Sequence, residues 1–126
     1  MVELSPNHWQ FNLNPEPKRH QMVWLRVEER CENAEDWSRF VCTSAIAPAE
    51  GQDFERILRL NRTLDVGTVA IEDLKESEGG IRVPFLIFKA SHLAKTADHE
   101  EIWELVTKTG SYADQLEKEL SDQDIF

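Results

Sequence analysis

Apolar and polar residues alternate along the first part of the chain. In residues 8–13, HWQFNL, Trp9, Phe11 and Leu13 point one way and His8, Gln10 and Asn12 the other, the two-residue period of a half-buried strand. Asn14-Pro15-Glu16-Pro17 breaks that pattern. Residues 22–28, MVWLRVE, repeat it with Val23, Leu25 and Val27 on one face. The stretch from Glu32 to Asp36 is polar and reads as a loop. Residues 39–46, RFVCTSAI, are β-branched and apolar enough for a third strand.

The period then changes. Asp53 is a plausible N-cap, and Phe54, Ile57, Leu58 and Asn61 fall at i, i+3, i+4 and i+7, one stripe of a short helix. Residues 66–73 return to alternation, with Val69 and Ile71 inward, and ESEGG at 76–80 reads as a hairpin loop. In residues 81–89, IRVPFLIFK, Ile81, Val83, Phe85 and Ile87 share one face and Leu86 and Phe88 the other. Pro84 lacks an N–H, which puts this strand at a sheet edge or at a bulge. Asp98 followed by Glu101 has the capping-box spacing. It opens a long helix whose stripe runs through Ile102, Leu105, Val106, Thr109, Ala113, Leu116 and Leu120. Gly110 interrupts that stripe at a cost of about 1 kcal/mol and marks a kink or a close approach of helix to sheet.

The element order is therefore β-β-β-α-β-β-α. Strands joined by short loops pair antiparallel, and helices gathered on the sheet rather than alternating with strands make the class α+β. The expectation is a five-stranded antiparallel sheet packed by a long C-terminal helix, in a single domain over 1–126, with 1–7 and 121–126 frayed. A chain of 126 residues has room for one real core.

Asn61 stands out because a polar amide follows the apolar run ILRL. Asn is poor inside helices and bonds nearby backbone groups. No nucleophile or base stands beside it in the sequence. It reads as a structural joint that ties the end of the helix to the start of the next strand.

Charge narrows the choice of partner. The formal charge is −10, and nine acids stand against Lys108 and Lys118 from Thr96 to Phe126. Such a field repels phosphate backbones, so nucleic acid is not an expected partner. No apolar run reaches the roughly 20 residues of a membrane span, and MVELSPNHWQ lacks the basic and apolar regions of a secretory signal, so a cytoplasmic protein is expected. Cys31 and Cys42 are expected as reduced thiols, since a hairpin of 21–30 with 38–47 sets Cys42 near Val27 and Cys31 by the turn.

Catalytic and metal chemistry have little to stand on. His8, His20, His92 and His99 form no HxxxH pair, there is no CxxC, and no Ser has a G-x-S-x-G setting. Gly79-Gly80 is a turn without the Lys of a phosphate loop. Cys42 fits a small buried apolar residue better than a nucleophile. No catalytic residue, cofactor or metal is expected. Trp9 and Trp103 sit near core stripes, and Trp24 and Trp37 on more exposed positions.

The segment SAIAPAEGQDFERILRLN (Ser44 to Asn61), the strand from Val66 to Ile71 and the terminal helix around Ala113-Asp114-Gln115-Leu116-Glu117 resemble the YbjN-like family and the wider type III secretion chaperone-like fold. The resemblance covers roughly residues 9 to 120. It implies a small, acidic, non-enzymatic binding or regulatory protein, in the chaperones a homodimer that holds a partner's partly unfolded segment along its sheet. The first helix of that fold is missing here, because MVELSPN is too short and contains Pro6.

A sheet without that helix has a face to cover. If the long helix takes the Trp9/Val23/Val83 face, the opposite face keeps Trp24, Leu86 and Phe88, and these become the candidate surface for a protein partner, a peptide segment or a second copy of the chain. The alternative is a small-molecule binder or small enzyme whose pocket does not show in the sequence. A cavity of about 300 Å³ lined by converging polar groups near Asn61 would favour it.

Overall fold

The computed structural model describes residues 1–14, 20–32, 35–75 and 80–124. Strands Val2–Ser5 (β1), His8–Leu13 (β2) and Gln21–Glu28 (β3) come first. A two-stranded ladder of Cys31–Glu32 (β4) with Glu35–Asp36 (β5) and then Arg39–Pro48 (β6) follow. Helix Phe54–Asn61 (α1), strands Thr68–Lys75 (β7) and Arg82–Leu93 (β8) and helix His99–Asp124 (α2) complete the order, with a 3-10 turn at Ala94–Thr96 before α2. The main sheet has six antiparallel strands in the order β1-β2-β3-β6-β8-β7. The class is α+β, with α1 and α2 on one face of an open sheet.

The sixth strand is the first correction to the five-stranded expectation. Val2–Ser5, expected to fray, pairs with β2 as an edge strand. Its residues are all exposed, and the alternation Val2-Glu3-Leu4-Ser5 is only four residues long. The signal was in the turn. Pro6-Asn7 connects the two strands and Asn7 has φ +65°, the Pro-then-positive-φ pattern of a type II turn. At the other end α2 runs to Asp124. The expected loops at Pro15–Pro17 and Glu76–Gly79 lie outside the described residues.

The core lies between the sheet and α2. Val23 and Leu25 of β3, Cys42 of β6, and Leu86, Phe88 and Ala90 of β8 meet Leu105, Val106, Ala113 and Leu116 of α2. Asp98 caps α2 by accepting from Glu101 N–H at 2.8 Å. Gly110 marks a close approach, since a Cβ there would stand 2.6 Å from Leu13 Cδ1 and 3.1 Å from Val23 Cγ2. The register of β3 with β6 sets Cys42 opposite Leu25, two residues from the expected partner near Val27. The side chain of Cys31 lies outside the description.

Strand β8 is interior, between β6 and β7, not at an edge. Pro84 is tolerated there because β6 ends opposite Phe85, so the missing N–H falls beyond the β6 ladder. The carbonyl of Pro84 still accepts from Ala49 N–H at 2.9 Å. The bulge sits in β6 instead, between Ala45 and Ala47.

The register also reverses the expected faces of β8. Ser44 pairs with Phe88, and Cys42 with Ala90, so Leu86 and Phe88 point toward α2 with 1% and 0% of their surface exposed. They are core residues and not part of an open surface. Of the three candidates only Trp24 lies on the face away from α2, half-buried.

Candidate functional site

Asn61 closes α1 and reaches the outer edge of the sheet. Its side-chain Oδ1 accepts from Val69 N–H at 2.7 Å, and its Nδ2 donates to the Val69 carbonyl at 3.2 Å. The amide thus satisfies both backbone groups of one strand residue, as a neighbouring strand would. Asp53 caps the other end of α1, accepting from Arg56 N–H at 3.2 Å. Gly67 lets the chain enter β7. It has φ +75°, and a Cβ there would come within 2.5 Å of Phe88 Cζ and 2.7 Å of the Lys89 carbonyl oxygen.

The same geometry leaves an open edge. Backbone groups of an antiparallel strand turn alternately to its two sides. Val69 turns its pair to Asn61, away from β8, so Ile71 and Asp73 turn theirs the same way. Among the described residues no strand lies on that side of β7. Beside this edge is a groove of about 350 Å³ lined by Phe54, Ile57, Leu58, Val69, Ala70, Ile71 and Leu86. Phe54, Leu58 and Ile71 remain 49%, 67% and 55% exposed, while Ile57 is buried. A short helix turned only part of its apolar stripe into the core, and its rim faces water next to the open edge of β7.

The sequence pattern placed Phe54 and Leu58 on the inward stripe with Ile57 and so missed this groove. The available signal was an excess. Phe54, Leu58 and Ile71 together present more apolar surface than an eight-residue helix can bury against one edge strand. The groove lies beside Asn61, but its lining is apolar, without the converging polar groups of an orienting ligand site.

The face away from α2 has a different character. His8, Trp24, Arg26, Thr43, Glu72 and Leu74 line one hollow of about 220 Å³. In a flat sheet β2 and β7, four positions apart in the strand order, would stand ~19 Å apart, so a shared hollow means that the sheet curls toward this face. Trp24 donates from Nε1 to Gln10 Oε1 at 3.2 Å. Arg26 pairs with Glu28 at 3.1 Å, and this bond holds the Glu28 carboxyl below its ordinary range. At the end of the sheet Arg30, Trp37, Arg39 and Leu93 line a hollow of about 200 Å³, with Lys95 Nζ 4.7 Å from the Trp37 ring centre. Arg30 meets Glu28 at 3.5 Å and Arg39 donates to Ser91 at 3.0 Å, so both arginines are engaged within the protein.

Two titratable groups are tied into the fold. Cys42 is buried, and desolvation pushes its thiol up to about 12, which leaves no thiolate at neutral pH. His92 Nε2 lies 2.7 Å from Glu101 Oε2 and Nδ1 2.9 Å from the Leu93 carbonyl oxygen, a link from β8 to the first turn of α2. No group of three His, Cys, Asp or Glu among the described residues is placed to hold a metal ion. No described helix is long and apolar enough to cross a membrane. Trp103, expected near the core, is exposed, with its ring 6.2 Å from that of Phe11.

No family model, no curated protein and no solved structure matches the chain.

Proposed function

We propose that this protein is a non-enzymatic binding module that holds an extended segment of a partner protein, with the segment seated along β7 and against α1. This keeps the class of function that the YbjN-like and chaperone-like resemblance implies and moves the site off Trp24 and Phe88, with Leu86 kept only as the buried floor of the groove. The observation that supports it is the coincidence of two unsatisfied features, an apolar groove rimmed by Phe54, Leu58 and Ile71 and outward backbone groups at Ile71 and Asp73. Either alone is ordinary. Together they match how a sheet edge accepts an added strand, where main-chain hydrogen bonds supply affinity and side-chain pockets supply selection.

The test is capture from native extract by three forms of the protein. The wild type and Met22→Lys, altered on the face away from α2, retain the same protein partners, and Leu58→Lys loses them with its melting temperature unchanged. Partners retained by Leu58→Lys and lost by Met22→Lys would move the site to the other face. A small apolar molecule found by native mass spectrometry in place of a protein would support the ligand-binding alternative, for which a groove of about 350 Å³ is large enough.

A further inference from the structure

We infer that the segment held at β7 seats an apolar side chain in the groove beside Ile71 and sets a lysine or arginine next to it, opposite Glu72. This rests on the binding reading above and specifies its occupant.

Side chains of an added strand follow the faces of the strand it joins. On the α1 side they meet Ile71, Phe54 and Leu58, three large exposed apolar residues, and beyond them the exposed carboxylate of Asp73. On the other side they meet Ala70, Glu72 and Leu74, of which Glu72 alone is charged. Glu72 is exposed, and Arg26, the cation that shares a hollow with it, is engaged by Glu28 at 3.1 Å. Directly opposed residues of unlike charge favour pairing and like charges oppose it. The position facing Glu72 therefore selects a cation, and the neighbouring position facing Ile71, between Phe54 and Leu58, selects an apolar group.

A second copy of the chain does not fit this edge. Two-fold pairing centred on Glu72 or Asp73 brings each carboxylate against its own copy. Pairing centred on Ile71 sets Asp73 opposite Val69, whose backbone groups Asn61 already holds. A charge of −10 on each chain adds to the mismatch.

Titration calorimetry with two synthetic nine-residue peptides tests the inference, one alternating valine with lysine and the other valine with glutamate. The lysine peptide is expected to bind about tenfold tighter, and Glu72→Lys should reverse the preference. Ile71→Pro should abolish binding, since it removes an outward N–H and leaves the β8 ladder intact. Lysine peptide N-methylated at alternate residues makes the same test on unaltered protein and should not bind. A lysine preference that survives in Glu72→Lys is bulk attraction to an acidic chain and overturns the inference. Equal binding of both peptides, lost in Leu58→Lys, overturns the selection of a cation and leaves the groove standing. Binding of neither overturns both. A concentration-dependent dimer that Ile71→Pro dissociates puts a second copy in the groove and overturns the proposal.

Discussion

The two edges of the sheet solve the same problem in different ways. Both β1 and β7 carry backbone groups with no neighbouring strand on one side, a template for unwanted pairing. The β1 edge is four residues long, exposed throughout, and broken by a register shift between Glu3 and Ser5. It is too short and irregular to pair well with anything. The β7 edge is eight residues long and regular against β8. Its first outward residue is covered by the Asn61 amide, and its next is flanked by the apolar rim of α1. One edge is blunted. The other is partly guarded by Asn61 and partly left open.

Four substitutions probe that contrast. Phe88→Ala should have the largest effect, about 4 kcal/mol by chemical denaturation, because Phe88 is fully buried and its ring stacks at 5.5 Å on Tyr112 beneath the start of β7. A loss under about 1 kcal/mol would return Phe88 to the surface. Gly67→Ala should cost about 3 kcal/mol, from the positive φ and from contact with Phe88 and the Lys89 carbonyl, and should loosen β7 rather than β1. Amide exchange resolved by residue would show which edge opens.

Asn61→Ala should cost about 1–2 kcal/mol and speed exchange of the Val69 amide, since both bonds to the strand are lost. Unchanged exchange at Val69 would remove the amide's role as a joint. Removal of residues 1–5 should be the mildest change, under about 1 kcal/mol, because every residue of β1 is exposed. A loss comparable to Phe88→Ala would make β1 a structural equal of β7 and erase the contrast.

Much of the architecture was legible. The strands at residues 8–13, 22–28 and 39–46, the short helix after Asp53 and the long helix after Asp98 all carry their period in their own residues. Gly110 stood out because a glycine inside a helix needs a reason, and of the two readings, a kink or a close approach, the structure shows the close approach. The site was not legible to the same degree. Leu86 and Phe88 were expected on an outer surface, because IRVPFLIFK is apolar on both faces and alternation alone carries no sign. The groove was hidden because Phe54, Ile57 and Leu58 form one stripe in the helix but divide between core and water once α1 sits at an edge.

The sequence by itself determined five strands of the main sheet, the two helices, their order and the α+β class, since each depends on periods and caps that span a few neighbours. The tertiary structure decided the sixth strand, the side of β8 that meets α2, and the strand atoms that Asn61 holds. Those depend on pairings between residues far apart in the chain. A shift of one residue in such a pairing exchanges the buried and exposed faces of a strand without changing its own pattern.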